Sequence, residues 1–512
     1  MIPAAPASIT LDDLFRRSVA QRPQAIALCD PPNRESLTDG APRRLTFAQA
    51  EVIVSAIAER LRGMGLPAGS VVGIQLPNIA ENILTILGVL RAGLVPAPLP
   101  QLWRRADATT ALKRAQAKAL VTCCRIGDFN HCELARSVAA DVFSIRFVCA
   151  FGAWVSDGVV PLDDLMAAEP RDPPAASERD GPAGANIAVV TFETRNDGPV
   201  PVARSHLELL SAGIGVFCES RLERQATMLS TYAPASLTGL GLAVVPWLLA
   251  GGTLVLHHPF DADLLARQRR EEGCGVLILP AAVVPLLAES GWFTQGPPGT
   301  VVAAWPAPER LAASAAWRAD GCKFVDVAIF GEAGAIPAQR GHDGRPAPLR
   351  LGPVLTPRSG AGETARTVVV ADLSVTQANT VALAGPMVPQ QSSPPGIETS
   401  NEPHWQIQSG GLVDTGYTCR VEPDGDSVTV TGPPSGIVGV GGYRFALSAL
   451  QTLLAGIDPA ATLDALPAAL TGQRLLGKAA DVAAVQAALA DAGANPLVVS
   501  AFTQNGSGPA RH

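Results

Sequence analysis

The sequence predicts an α/β protein with a large amino-terminal region, made of two βα subdomains and a small β-rich subdomain, followed by a small α+β carboxy-terminal domain. Apolar, strand-like runs alternate with helical patterns over much of the 512 residues, as in a parallel sheet with crossover helices. The 49 glycines and 44 prolines fit a loop-rich α/β framework better than a helical bundle. Aromatic residues make up 5% of a chain that is 47% hydrophobic, which predicts a core of small aliphatic side chains.

The first βα subdomain is predicted at about residues 1–178, with strands at 71–76 and 119–123. Residues 169–184 are rich in Pro, Ala and acidic residues, which predicts an exposed linker. A second βα subdomain is predicted at about 185–344. It contains an apolar run at 237–256 that glycines and Pro246 interrupt, so we expect a helix followed by a strand there.

The β-rich subdomain is predicted at about 345–435, with strands at 367–371 and 380–383 and a polar loop at 390–404. Residues 1–435 thus form the predicted amino-terminal domain, and 436–512 form a shortened carboxy-terminal domain. In the latter we expect a helix at 482–492, a strand at 497–502 and a frayed tail.

Residues 193–201 have the setting of a phosphate-binding loop, because a buried strand at 187–192 precedes them and a helix capped by Ser205 follows. Such a loop needs glycines, hydroxyls and usually a lysine to hold phosphate oxygens. This one has a single glycine, Gly198, and a single threonine, Thr194, together with two prolines and two carboxylates. Its composition argues against phosphate binding.

Composition excludes several classes of function. The net charge of −7 gives no basic surface for nucleic acid, and no apolar run reaches the roughly 20 residues of a membrane span. We therefore expect no nucleic-acid partner, no membrane span and a cytoplasmic location. The nine cysteines lack metal-site or disulfide spacing and are interpreted as ordinary thiols. The His257-His258 pair is interpreted as a strand-end turn rather than a metal site.

Several motifs occur in a fixed order along the chain. They are Leu-Thr-Phe-Ala-Gln-Ala at 45–50, Val-Val-Gly-Ile-Gln-Leu-Pro-Asn at 71–78, Arg-Ala-Gly-Leu-Val-Pro at 91–96, Pro-Trp-Leu-Leu-Ala-Gly-Gly at 246–252, Leu-Val-Asp-Thr-Gly-Tyr at 412–417 and Gly-Gly-Tyr-Arg-Phe at 441–445. In this order the chain resembles the adenylate-forming superfamily of acyl- and aryl-CoA synthetases, firefly luciferase and nonribosomal-peptide adenylation domains. The resemblance runs from about Leu11 to the carboxy-terminus.

The resemblance implies binding of ATP and a carboxylic acid, formation of an acyl-adenylate with release of pyrophosphate, and transfer of the acyl group to a thiol. ATP, Mg²⁺ and CoA would be the cofactors of an active member, with a mobile carboxy-terminal lid and a place in fatty acid metabolism. A member that has lost this chemistry could use no cofactor at all.

Two lysines of the family are replaced. The phosphate-loop lysine aligns with Val200 and the following glycine with Pro201, which leaves Thr194 and Gly198 as candidate nucleotide contacts. The catalytic lysine of the carboxy-terminal domain aligns with Pro509. Lys478 is the lysine of this domain and matches a different loop.

The adenine and ribose motifs are altered as well. By resemblance, Phe330 could stack on adenine beside Gly331, and Glu332 could hold Mg²⁺; a strand end with a turn and one exposed acid explains the same residues. Tyr417 stands where the family has the ribose-binding aspartate, and tyrosine offers no bidentate carboxylate.

The remaining motifs correspond to the family's thiol tunnel and acid pocket. Arg444 lies in the well-kept turn at 441–445, which in the family contributes to the thiol tunnel and is explained equally by packing alone. The family's acid pocket aligns with Tyr232, Gly239 and Trp305, where Trp305 is expected to narrow the pocket.

Two hypotheses follow. The chain is a degenerate pseudo-ligase that forms little or no acyl-adenylate and binds an acyl ligand or a partner protein, or it is an active, divergent carboxylic acid–CoA ligase. The first hypothesis is favoured by the residues that stand in place of the family's functional ones, namely Val200, Pro201, Tyr417 and Pro509. The second is supported by Phe330, Glu332 and Arg444.

Overall fold

Two parallel sheets carry the amino-terminal region of the structure, a computed structural model that describes residues 9–169, 181–293, 296, 298–357, 367–392 and 404–503. The larger sheet has eight strands in the order β17-β16-β15-β14-β12-β13-β1-β2, with antiparallel pairs at its two edges. The smaller sheet, β4-β3-β5-β8-β9, is parallel throughout. The predicted α/β fold class is confirmed.

The helices of the described residues, in chain order, are α1 Leu11–Gln21, α2 Arg34–Leu37, α3 Phe47–Gly63, α4 Ala80–Arg91, α5 Arg105–Arg114, α6 His131–Asp141, α7 His206–Glu219, α8 Leu237–Gly239, α9 Val245–Ala250, α10 Ala262–Glu272, α11 Val284–Glu289, α12 Leu447–Ile457, α13 Val482–Asp491 and α14 Pro496–Val499. A π-helical turn, Leu240–Val244, joins α8 to α9.

The strands are β1 Ile26–Cys29, β2 Arg44–Thr46, β3 Val71–Gln75, β4 Val95–Pro98, β5 Ala119–Cys123, β6 Arg125–Ile126, β7 Phe129–Asn130, β8 Phe147–Phe151, β9 Val160–Pro161, β10 Ile187–Arg195, β11 Gly198–Ser205, β12 Thr227–Ser230, β13 Thr253–Leu256, β14 Val276–Pro280, β15 Thr300–Trp305, β16 Lys323–Phe330, β17 Gly334–Gln339, β18 Leu349–Arg350, β19 Gly352–Leu355, β20 Val369–Val375, β21 Thr380–Ala384, β22 Val413–Val421, β23 Ser427–Gly432, β24 Ile437–Val440, β25 Tyr443–Ala446, β26 Thr462–Ala468 and β27 Gly472–Lys478.

Aromatic side chains join helices that are distant in sequence. Phe15 of α1, Phe47 of α3 and Trp247 of α9 are fully buried, and the rings of Phe47 and Trp247 stack with centroids 6.2 Å apart. Burying such a side chain contributes on the order of 2 kcal/mol. The predicted helix and strand at 237–256 are present as α8, the π turn, α9 and β13.

The predicted loop at 193–201 is not a loop. Strand β10 continues to Arg195, β11 begins at Gly198, and the antiparallel register pairs Arg195 with Gly198 across a turn of Asn196 and Asp197. Alternating apolar residues extend the pairing, and Gly198, the fourth residue of the turn at φ +103°, is the turn signal that outweighs the local prolines. The predicted cap is confirmed, because Ser205 accepts a hydrogen bond from the backbone N–H of Glu208 at the start of α7.

The remaining strands form two larger antiparallel sheets and the separate antiparallel pair β6-β7. Strands β18-β23-β22-β21-β20-β19 cover residues 349–432, and β25-β24-β27-β26 form the sheet of the carboxy-terminal region, with α12 and α13. The helix expected at 482–492 is present as α13. The strand expected at 497–502 is wrong: Pro496 begins the short helix α14, capped by Asn495, and just Phe502 bridges to Gly477. The predicted linker and the polar loop at 390–404 lie largely outside the described residues.

The nine cysteines are all free thiols, six of them buried. None of the described helices combines the length and apolar character needed to cross a membrane.

Candidate nucleotide and acyl site

Four elements from separate parts of the chain meet at one polar cluster that is partly buried. Strand β10 supplies Glu193, the turn between β16 and β17 supplies Glu332, β22 supplies Tyr417, and β25 supplies Arg444. The structure therefore brings together three of the predicted site residues with Glu193, which sequence reasoning counted as a repulsive carboxylate.

Glu193 lies at the centre of this cluster. Its carboxylate forms an ion pair with Arg444 and accepts a 2.6 Å hydrogen bond from the backbone N–H of Glu332. A Cβ atom at Gly331, where φ is +58°, would overlap this carboxylate. A guanidinium and a backbone N–H are the donors that proteins offer to bound anions, so Glu193 acts as an internal anion.

Tyr417 extends the cluster toward β15. Arg444 donates to the Tyr417 hydroxyl, which lies 3.4 Å from the carbonyl oxygen of Pro306. Burial raises the pKa of Tyr417 to about 12, so the hydroxyl stays protonated at neutral pH. The ring meets Phe330 edge to face with centroids 5.5 Å apart, and Phe330 is 1% exposed. Stacking of adenine on Phe330 would require this aromatic pair to separate.

Glu332 is buried, so the alternative reading of an exposed acid is wrong. Its carboxylate accepts hydrogen bonds from the Thr191 hydroxyl at 2.6 Å and from the backbone N–H of Leu237. Burial raises the pKa of Glu332. Beneath it, the buried Arg204 donates to the backbone carbonyls of Glu332 and Met387 rather than to the carboxylate. The described residues contain no group of three or more His, Cys, Asp or Glu side chains able to hold a metal ion.

The aligned phosphate-loop residues belong to the hairpin. Val200 is fully buried opposite Glu193, and Pro201 pairs with Phe192. The Thr194 hydroxyl lies 3.4 Å from the backbone oxygen of Arg444, and Gly198 has φ +103° at the turn. These residues present a strand edge rather than a ring of backbone N–H groups.

Two cavities flank the cluster. The outer cavity, of about 620 Å³, is bordered by the hairpin turn, Phe330, Trp405 and residues 414–416. There Asp414 accepts a hydrogen bond from the backbone N–H of Gly416, so its carboxylate turns toward its own strand. The inner cavity, of about 320 Å³, is lined mainly by Gln101, Trp103, Phe192, Tyr232, His258 and Tyr443, with Glu193, Glu332 and Arg444 at one end.

Of the three predicted pocket residues, one lines the inner cavity and two do not. Tyr232 lines the inner cavity, whereas Gly239 and Trp305 are not among the residues that line it. A Cβ at Gly239 would overlap the carbonyl of Ala233, so this glycine allows a close backbone approach. The indole N–H of Trp305 donates to Asp326 at 2.7 Å, so Trp305 does not narrow the cavity.

The inner cavity contains polar groups that sequence reasoning did not identify. The side-chain nitrogen of Gln101 lies 3.1 Å from Nε2 of His258. Within the described part of the chain, the Tyr232 hydroxyl and the Gln101 Oε1 atom are buried without hydrogen-bond partners. Burial lowers the pKa of His258 to about 4. One signal in the sequence could have located Gln101 and His258. Both follow the end of a strand, which is marked by the proline after Leu99 and by the His257-His258 pair.

The lysine positions give less information. Pro509 lies outside the described residues, and Lys478 is exposed at the end of β27.

Sequence comparison finds similarity to AMP-binding enzymes. Residues 15–192 match the family model described as AMP-binding enzyme. The chain is 29% identical over 267 residues to 2-hydroxy-7-methoxy-5-methyl-1-naphthoate–CoA ligase of Streptomyces carzinostaticus, a match covering 49% of this chain and 46% of the relative. The chain thus spans less than half the length of that relative in the match.

Solved structures resemble nearly the whole chain. The amide bond synthetase McbA from Marinactinospora thermotolerans superimposes with a TM-score of 0.67 at 19% identity, covering 96% of this chain and 94% of that protein. A Mycobacterium tuberculosis fatty acyl CoA synthetase gives 0.64 at 15% identity, covering 91% and 87%. The sequence match to AMP-binding enzymes thus lies in residues 15–192, and the solved structures establish the fold of the chain. Its fold is the superfamily fold, with a large amino-terminal and a small carboxy-terminal domain.

AMP-binding ligases in general use ATP with Mg²⁺, and the CoA ligases among them use CoA. The residues of this chain do not fit a nucleoside triphosphate with its metal. Glu193 already takes the guanidinium and the backbone N–H that an anionic ligand would need, and its charge would repel phosphate. Glu332 is engaged by Thr191 and Leu237, and Tyr417 covers Phe330.

Proposed function

We propose that this protein is a pseudo-ligase of the adenylate-forming superfamily, which forms little or no acyl-adenylate and binds an acyl or aryl ligand. The observation that carries the proposal is the Glu193–Arg444 ion pair, anchored on the backbone N–H of Glu332. The Glu193 carboxylate competes with a phosphate for the Arg444 guanidinium and the Glu332 N–H. It does so at a very high local concentration, because it is part of the same chain. Nucleotide binding would have to break this pair and leave a buried charge uncompensated.

The replaced residues support the same conclusion. Val200 provides no charge, Pro201 no N–H, and Tyr417 no bidentate acceptor. Loss of one preorganised transition-state donor costs roughly 10²- to 10³-fold in rate, although losses within one cooperating unit do not simply add. The relative that acts on a naphthoate supports an acyl or aryl ligand, since the inner cavity is walled by Trp103, Phe192 and Tyr443.

A thermal-shift titration with ATP and Mg²⁺ tests the proposal, with ADP and AMP as nucleotide controls. A ligand at 100 times its Kd adds about 2.7 kcal/mol of stability, so even modest binding is measurable. We expect no shift from any nucleotide. A concentration-dependent shift with ATP and Mg²⁺ would overturn the proposal.

The second candidate function is that of an active, divergent carboxylic acid–CoA ligase, favoured by the retained positions of Phe330 and Glu332 beside the inner cavity. It predicts exchange of labelled pyrophosphate into ATP with at least one acid from a panel of fatty and aromatic acids. Absence of exchange across the panel decides against it.

A further inference from the structure

Two thiols outside the candidate site lie side by side. Cys124 directly follows β5, Cys132 lies in the first turn of α6, and their Sγ atoms are 3.6 Å apart. The Cys132 S–H donates to the Cys124 sulfur, whose own S–H donates to the backbone oxygen of Trp154 at 3.1 Å. Neither cysteine lines the inner or the outer cavity, so the chemistry of this pair is independent of the proposed function.

The backbone holds the two cysteines close together. Strands β6 and β7 form a short hairpin between them, in which Arg125 pairs with Asn130. Next to that pair, the backbone oxygen of Cys124 accepts hydrogen bonds from the N–H groups of His131 and Cys132, at 3.0 and 3.4 Å. A disulfide has its sulfur atoms about 2.05 Å apart, so these two need to approach by about 1.5 Å, a shift on the scale of side-chain rotation.

The two thiols differ in their access to solvent. Cys124 is half-buried, whereas Cys132 is 1% exposed. Gly152 leaves space for the Cys124 sulfur, because a Cβ atom at Gly152 would lie 2.5 Å from it. A small oxidant therefore reaches Cys124 first, and Cys132 is the buried thiol in contact with it.

We propose that Cys124 and Cys132 form a reversible disulfide on reaction with a hydroperoxide, with Cys124 as the nucleophile and Cys132 as the resolving thiol. The Cys124 sulfur attacks one oxygen of hydrogen peroxide and the O–O bond breaks. The hydroxide that leaves takes up the thiol proton as water, and Cys124 becomes a sulfenic acid. The Cys132 sulfur then attacks the Cys124 sulfur, and the S–O bond breaks with loss of a second water. Two thiols and one peroxide thus give one disulfide and two waters, and a dithiol reductant restores the thiols.

The surroundings of Cys124 make this oxidation slow at neutral pH. Burial, with contributions from the Cys132 thiol and the charge of Asp39, raises the pKa of Cys124 to about 12. The thiolate is the reactive form of a cysteine, and its fraction rises about tenfold for each pH unit below the pKa. Oxidation at pH 8.5 therefore gives a measurable rate.

Peptide mapping of the full-length protein tests the inference. The reduced protein is incubated with hydrogen peroxide at pH 8.5, its remaining thiols are blocked with N-ethylmaleimide, and it is digested with trypsin without reductant. Trypsin cuts after Arg125 and so separates residues 119–125 from 126–136, which a disulfide keeps together. We expect this linked pair, lighter by two hydrogen atoms than its separate peptides, and its disappearance after dithiothreitol. If Cys322 is oxidised while no linked pair forms, the inference is wrong.

Two variants identify the thiol in the first peptide. Cys124→Ser should lower the yield of the linked pair by at least about tenfold, because the proximity of the two sulfurs is lost. Cys123→Ser is the matched control, since Cys123 lies in the same peptide but its thiol donates to the backbone oxygen of Arg125. Here we expect the yield to be unchanged. The reverse pattern would assign the link to Cys123 and overturn the inference.

A third variant, Cys132→Ser, tests the order of the steps. Without the resolving thiol, the sulfenic acid at Cys124 should persist, so its labelling by dimedone should rise at least about fivefold over the wild type. Cys322→Ser is the control, because it changes a half-buried thiol that bonds to the backbone oxygen of Lys323, and it should leave this labelling unchanged. Equal labelling of Cys124 in the wild type and in Cys132→Ser would refute the role of Cys132.

Discussion

At the scale of single residues, Glu193 has the largest effect on the candidate site. It turns an anion-binding arrangement, one guanidinium and one backbone N–H, into an internal ion pair. Arg444 is the arginine of the Gly-Gly-Tyr-Arg-Phe motif, but its charge is neutralised within the protein by Glu193. Under the proposed function, the residue that opposes phosphate binding also contributes to the stability of the fold.

Glu193→Ala should destabilise the fold by about 1–3 kcal/mol, because the partly buried Arg444 is left without its carboxylate. Added pyrophosphate or AMP should restore part of this loss, since the vacated donors can then take an external anion. Urea unfolding with and without these anions measures both effects.

The control for Glu193→Ala is Glu133→Ala, which removes an exposed pair with Arg136 and should cost less than about 1 kcal/mol. A Glu193→Ala protein as stable as the wild type, and indifferent to anions, would show that the pair has no such role.

His131 gives a prediction on pH. Its ring is 1% exposed, and neither ring nitrogen has a hydrogen-bond partner among the described residues. Burial, with the charge of Arg104, lowers its pKa from 6.5 to about 3. Between these values the unfolded chain binds a proton that the folded chain does not, so stability falls as the pH drops below about 6.5, by up to about 1.4 kcal/mol per pH unit.

His131→Phe should remove this loss, so its stability relative to the wild type should rise between pH 6.5 and 5 in urea unfolding. His342→Phe alters an exposed ring and serves as the control, for which a flat difference is expected. A flat difference for His131→Phe as well would refute the assignment.

At the scale of secondary-structure elements, the β10–β11 hairpin replaces the loop that the composition of residues 193–201 suggested. Its turn packs against α5, where Arg114 donates to the backbone oxygens of Asp197 and Pro199. The hairpin also carries Glu193 and Thr194 to the cluster. The two-residue turn, which stands where a longer loop was expected, and the internal anion Glu193 therefore belong to one hairpin.

Gly198→Ala tests the turn. A non-glycine residue at φ +103° is strained, so we expect a loss of about 1–2 kcal/mol in urea unfolding although the nearest atom to the added Cβ is 3.6 Å away. Gly63→Ala, in helix α3 with no atom within 4 Å of the added Cβ, should instead stabilise by about 0.5–1 kcal/mol. If both variants behave alike, backbone strain at Gly198 is not the cause.

The sequence predicted those elements whose signals are local. Ser205 with Glu208 three residues later is a capping box, and the apolar run at 119–123 is a buried strand, β5. The loop at 193–201 was mispredicted because counting ligand-binding residue types ignored Gly198 as the residue that closes a tight turn after Asn196 and Asp197. The cluster itself could not be predicted, since Glu193 and Arg444 are 251 positions apart and their pairing depends on how the domains dock.

At the scale of the whole molecule, the cluster joins the carboxy-terminal region to the rest of the chain. Arg444 of β25 contacts Glu193 and Tyr417, and Tyr443 beside it accepts from the backbone N–H of Leu102. Contacts away from the site, from Arg310 to the carbonyl of Ala469 and from the N–H of Ala106 to that of Gly493, add to the docking. A lid that moves during adenylation would have to break the Arg444 contacts in each cycle.

Arg444→Met should therefore release the carboxy-terminal region, because methionine keeps apolar bulk but can neither pair with Glu193 nor donate to Tyr417. We expect faster hydrogen exchange in β24 and β25 and a larger radius of gyration in solution scattering. In the wild-type protein, ATP with Mg²⁺ should change neither quantity, since the internal ion pair already holds the docked arrangement. Arg420→Met is the matched control, as it removes an arginine from an exposed pair with Glu422 on β22. If exchange in β24 and β25 is the same in Arg444→Met and Arg420→Met, the docking depends on the backbone contacts and not on the buried ion pair.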